Sequence, residues 1–136
     1  MDTSQTFSDN FEVTLTVYKE TFEINEPVLA IIRVKNSNDV TAKFCIYHTP
    51  FEGIANNIFE IERDGEALGY HGMMKKRAAP GDSDYIELKP GESTTCTVEL
   101  NEVYSLDKKG TYTIRFIGNT SINGLPDSTK ITFTMN

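Results

Sequence analysis

Every second residue from Phe11 to Val17 is apolar, with Glu12, Thr14 and Thr16 between them. Successive side chains of a strand point to opposite faces, so this run buries one face and wets the other. A helix would instead repeat its apolar positions at a period near 3.6 residues. That longer period is missing from the remainder of the chain, apart from one turn expected around residues 101–106. A chain patterned this way builds its core by packing sheets.

Further strand-like runs follow at short intervals. Residues 28–35 are the most apolar and are predicted to form a central strand. After the turn cluster Asn36-Ser37-Asn38-Asp39, residues 41–48 place Ala42, Phe44 and Ile46 on one face. Residues 58–63 and 66–70 flank Asp64-Gly65, a pair favoured in two-residue hairpin turns. Residues 84–88, 94–100, 110–117 and 130–135 supply the remaining strands, with Lys89-Pro90-Gly91-Glu92 as a stop. Tyr112, after Asp107-Lys108-Lys109-Gly110, is read either as a tyrosine corner or as a core tyrosine at a strand start. The expected fold is all-β, an antiparallel immunoglobulin-like β-sandwich of about seven to nine strands. Residues 1–10 are expected to be a flexible tail and residues 11–136 a single sandwich domain.

The 136 residues suffice to bury roughly two-thirds of the unfolded surface, so the core needs no staple. The net charge of −7 argues against nucleic-acid or anionic-membrane binding, which draws on Lys and Arg. The single basic cluster, Lys75-Lys76-Arg77, is too short to reverse this. No apolar run approaches the roughly 20 residues of a membrane-spanning helix. Residues 1–6 show neither the charged nor the apolar part of a signal peptide. The compartment stays open between the cytoplasm and a secreted chain lacking its leader.

Cys45 and Cys96 sit in strand-like segments and are read as buried thiols or, in an oxidising compartment, a disulfide. Zinc ligation finds no support in their spacing from His48 and His71. No HExxH, GxSxG, phosphate-binding loop or GxGxxG motif is present. His48 and His71 have no visible catalytic partner, and no cofactor is expected.

Two connections are longer than a sandwich requires, residues 49–57 and 70–82, and loops on a rigid scaffold commonly carry binding residues. The residues proposed to contact a protein partner are Thr49, Pro50, Phe51 and Glu52 in the first. In the second they are Tyr70, Met73, Met74, Lys75, Lys76 and Arg77. Met adapts to a partner's surface, and Lys and Arg supply charged anchors. The alternative for the second segment is an edge strand with Met inward and Lys outward. A non-catalytic adhesion, carbohydrate-binding or assembly module is the rival reading, its carbohydrate form weakened by the absence of Trp and by Tyr and Phe lying mostly at strand positions. Asn119-Thr120-Ser121 is a glycosylation sequon, meaningful in a eukaryotic secretory host.

The loops and strands also carry a pattern in fixed order. It runs Thr49-Pro50-Phe51-Glu52-Gly53, then Phe59-Glu60-Ile61 and Arg63-Asp64-Gly65, then Tyr70, Gly72, Lys76-Arg77 and Pro80. It continues through Asp84-Tyr85, Pro90-Gly91-Glu92-Ser93, Val98, Leu100, Tyr104 and Gly110-Thr111-Tyr112. Over residues 11–117 this resembles the N-terminal prosegment-type domain of deuterolysin-like (aspzincin) zinc metalloendopeptidases, a group that includes peptidyl-Lys endopeptidases. The protease's HExxH is absent from this sequence, so the resemblance implies an accessory role and no catalysis. Such a domain would act as an inhibitor or intramolecular chaperone, with the zinc metalloendopeptidase as partner. Lys75 or Lys76 would fill a Lys-selective subsite. Lys76-Arg77 also reads as a processing site for a trypsin-like enzyme, or as plain surface charge.

Overall fold

A computed structural model describes residues 10–136, so the tail expected over residues 1–10 lies, but for Asn10, outside the described residues. The strands run β1 (Phe11–Val17), β2 (Thr21–Phe22), β3 (Leu29–Asn36), β4 (Ala42–Cys45) and β5 (Phe59–Arg63). They continue as β6 (Glu66–Ala67), β7 (Tyr85–Leu88), β8 (Ser93–Glu99), β9 (Gly110–Phe116) and β10 (Ile131–Met135). Short 3₁₀ turns occupy Asp82–Asp84 and Leu100–Glu102, the second overlapping the start of the stretch expected to turn helically. The chain is all-β, an immunoglobulin-like sandwich.

One sheet has the order β1-β3-β8 and a second the order β2-β10-β9-β5-β6, while β4 and β7 form a separate pair. Leu29–Asn36 is the central strand of the first sheet, as expected of the most apolar run, with Ala30, Ile32 and Val34 buried on one face. The register sets Val13 opposite Val34 and Leu15 opposite Ile32, with Ile32 opposite Cys96 on the other side. In the second sheet Ile114 lies between Ile131 and Ile61, and Tyr112 between Phe133 and Arg63. Pairings are antiparallel except β2 with β10, which run parallel among the described strands.

The inward faces of both sheets merge in one core that contains Leu15, Ile32, Ile61, Ile114, Phe116 and Phe133. Aromatic rings interlock there, Phe22 against Phe133 at 5.5 Å and Tyr112 stacked on Phe133 at 5.2 Å. The Tyr112 hydroxyl donates to the Lys108 carbonyl at 2.6 Å, the bond of a tyrosine corner. On the outer face Glu60 pairs with Arg115 across β5 and β9 at 3.0 Å. Asp64 and Gly65 both take positive φ, 52° and 88°, which a type I′ hairpin turn demands.

Three local expectations shift. The strand expected over residues 41–48 ends at Cys45, because the Thr49 amide and hydroxyl both turn back onto the Ile46 carbonyl. The second hairpin arm, expected to reach residue 70, ends at Ala67. Beyond it the chain leaves the sheet, and His71 N–H bonds the Val103 carbonyl instead. Asn36, read as turn, is the fully buried last residue of β3. Its amide donates to the carbonyls of Leu88 at 2.8 Å and Val40 at 3.0 Å, tying the first sheet to β7.

Candidate functional site

The two long connections meet at one end of the β4–β7 pair. The first is wound tightly by Thr49, which is fully buried. Its hydroxyl donates to the Ile46 carbonyl at 2.6 Å and accepts from Phe51 N–H at 3.1 Å. This side-chain turn satisfies backbone groups that no strand partner reaches. His48 is driven into the left-handed region at φ 59°, and its N–H donates to Glu52 Oε2 at 2.8 Å. Pro50 is buried. The Phe51 ring packs on Phe44 at 5.4 Å, which joins the loop to the core.

The second connection is clamped onto the first. The Tyr70 ring leans on Tyr104 at 5.5 Å, and its hydroxyl donates to the Met73 carbonyl. Tyr104 is itself buried, held by Asn57 Oδ1 at 2.7 Å and by Phe59 N–H at 3.2 Å. Lys75 N–H donates to the Ala55 carbonyl at 3.0 Å. The Asn56 amide returns a longer bond to the Lys75 carbonyl at 3.4 Å. Two residues on, the Arg77 guanidinium forms an ion pair with Glu52 and lies 4.6 Å above the Tyr47 ring.

These anchors sort the ten residues singled out from sequence. Thr49, Pro50 and Glu52 point inward and brace the fold, while Phe51, Tyr70 and Arg77 are half-buried. Met73, Met74, Lys75 and Lys76 project outward, with Met73 62% and Met74 69% exposed. The segment is not a strand, and both methionines face solvent rather than one side of a sheet.

Beside Lys75 and Lys76 lies an open groove of ≈ 680 Å³, lined also by Arg77, Pro80, Tyr47, Tyr85 and Ile122. A smaller hollow of ≈ 310 Å³ continues it past Tyr85 and Ile122 toward Lys43. The loop that supplies Ile122 is fixed by Asn123, which is buried. Its amide donates to the carbonyls of Tyr47 and His48, both at 3.1 Å. The sequence placed none of Tyr47, Tyr85 and Ile122 among the contact residues, since strands β4 and β7 and residues 118–128 come together only through tertiary contacts.

No protein-family model matches the chain. Over 60 residues it is 43% identical to an extracellular protease of Aeromonas hydrophila, a stretch that covers 44% of this chain and 17% of that protein. Among solved structures, it is similar to part of a β-glucosidase from Listeria innocua in complex with gluconolactone. The TM-score is 0.50 at 11% identity, over 96% of this chain and 17% of that one. The CARDB domain of a Pyrococcus furiosus protein, in complex with di-metal ions, aligns over 93% of this chain and 88% of its own. There the TM-score is 0.45 and the identity 13%. At such identities the structural likeness is one of fold alone.

Proposed function

We propose that this sandwich is a non-catalytic, protease-associated binding module, an inhibitor or chaperone-like prosegment of a zinc metalloendopeptidase. Its contact segment is Met73-Met74-Lys75-Lys76. One observation carries the reading. Four exposed side chains suited to a partner's surface stand on a stretch anchored at Met73, Lys75 and Arg77, outside any regular element. Such a segment loses little conformational freedom on binding, which is where preorganised ligands gain affinity. The same anchors hold its peptide bonds in one geometry, and attack requires close alignment of the reacting atoms. The 60-residue similarity to an extracellular protease supports the link to a protease, and the resemblance to prosegment domains of Lys-preferring peptidases points the lysines at its cleft. Thr49, Pro50, Glu52 and Arg77 then act as braces behind the contact.

The test is a titration of the purified chain against an aspzincin-type metallopeptidase. Wild type slows hydrolysis, and replacing both Lys75 and Lys76 with Ala weakens inhibition by about 2 kcal/mol or more, the size of an interface hot spot. Stability changes by no more than about 0.5 kcal/mol, as expected for exposed positions. Equal inhibition by both proteins would remove the lysines from the contact. No inhibition by wild type would return the chain to an adhesion or assembly role.

A further inference from the structure

We propose that the groove lined by residues 76–80, Tyr85 and Ile122 docks an extended acidic segment of a partner protein. The inference rests on the reading of this chain as a protein-binding module and adds the chemistry of the bound segment. The first observation is charge. Acidic residues outnumber basic ones 20 to 13 in the sequence, yet among the described residues no carboxylate lines the groove or its continuation. Lys75, Lys76, Arg77 and Lys43 do. Among the described residues only Arg77 of these four is ion-paired, with Glu52. Lys43 stands opposite Glu87 in register, but its ammonium leans over the Tyr85 ring at 4.5 Å instead of pairing.

The second observation is the backbone. Residues 76–80 lie outside regular structure, and no backbone hydrogen bond is made by any of them among the described residues. The amides of Lys76, Arg77, Ala78 and Ala79 are therefore left without backbone partners on a segment that lines the groove, and an added extended chain pairs with alternate groups of such a segment. Third, part of the lining is apolar and aromatic, with Tyr85 and an Ile122 that is 39% exposed. The two hollows share Tyr85 and Ile122, so the cleft is elongated. An extended chain of alternating acidic and apolar residues meets all three features: carboxylates toward the lysines, apolar side chains toward Tyr85 and Ile122, main chain along 76–80.

The experiment uses the full chain and a fluorescein-labelled Glu-Val-Glu-Val-Glu-Val peptide. Its Lys-Val counterpart and a single-stranded oligonucleotide of matched charge serve as controls. The expected result is anisotropy-detected binding of the Glu-Val peptide that weakens with salt. Amide shifts concentrate at residues 76–79, Tyr85 and Ile122, and Lys76 and Ala78 gain protection from hydrogen exchange. Lys43→Gln, which removes the charge without setting a second carboxylate opposite Glu87, weakens binding at least tenfold without lowering the melting temperature. Ala78→Pro, which removes one of these two amide donors, also weakens it. Equal binding of the Lys-Val peptide or the oligonucleotide, shifts elsewhere on the surface, or full affinity in Lys43→Gln would overturn the proposal. Persistent protease inhibition by a chain that ignores the peptide would sink the groove alone. Peptide binding without inhibition would sink only the metalloendopeptidase as partner.

Discussion

Arg77 and Glu52 lie 25 positions apart on different loops, yet their ion pair closes the candidate contact segment onto the loop behind it. The Glu52 side chain is 4% exposed, whereas Arg77 keeps part of its length in water. Removing the two partners therefore has unequal consequences. Arg77→Met strands a buried carboxylate with only the His48 amide for company and should cost about 3 kcal/mol. Glu52→Gln leaves an arginine that can swing to solvent and should cost about 1–2 kcal/mol. Urea unfolding of both variants measures the order, and equal losses would contradict this account of the pair.

Tyr112 tests the corner that closes the β9 end of the sandwich. Tyr112→Phe keeps the stack on Phe133 and loses the bond to the Lys108 carbonyl. Lys108 is exposed, so water can take over its carbonyl, and the loss should stay at about 1 kcal/mol. Tyr112→Ala also empties the core and should cost about 3–5 kcal/mol. A Phe variant as damaged as the Ala variant would mean that the hydroxyl organises the whole loop.

Burial pushes the Cys96 thiol up to about 12 and, likewise through burial first, the Tyr104 hydroxyl up to about 12. Both groups stay protonated in the folded chain while their unfolded counterparts ionise from about pH 9 and 10 upward. The unfolded state then binds fewer protons, so stability present below pH 9 is lost as pH rises toward 12. Replacing Cys96 with Ala should flatten that alkaline decline, read from melting temperature against pH. At pH 8 both free thiols should label slowly in the native protein and rapidly in denaturant.

Met73 and Met74 are exposed, while Met135 is buried in β10. Mild peroxide should convert the first two to sulfoxides before it reaches Met135, as peptide mass spectrometry would show. The oxidised chain should keep its melting temperature and lose protease inhibition. Intact inhibition after full oxidation of Met73 and Met74 would take both out of the contact.

A Cβ added at Gly118 would lie 2.1 Å from the Leu125 carbonyl oxygen and 2.5 Å from the Pro126 carbonyl carbon. These are backbone atoms that cannot step aside, so Gly118→Ala should cost about 1–3 kcal/mol. The displaced loop carries Ile122, and so the same variant should weaken Glu-Val peptide binding. A variant of unchanged stability would show that residues 118–126 have room to move.

The sequence alone determined what period and turn chemistry encode. Alternation from Phe11 to Val17 assigned the buried face of β1, the apolar run through Ile31 and Ile32 marked a central strand, and Asp64-Gly65 located the hairpin. These follow from contacts within a few residues, where side-chain direction repeats with the backbone. The ends of β4 and β6 were not legible, because a Thr49 side-chain turn onto Ile46 follows the first and a bond from His71 to the distant Val103 carbonyl draws the chain away after the second. The two long loops stood out by composition, but tertiary structure decided which of their residues face a partner. Glu52 and Arg77 look like surface charges until the fold brings them together, and Asn36 and Asn123 look like turn residues until each is buried on distant carbonyls. The groove likewise joins β4, β7 and residues 120–124 across some 80 positions of chain. Sheet packing sets such proximities, and no local period records them.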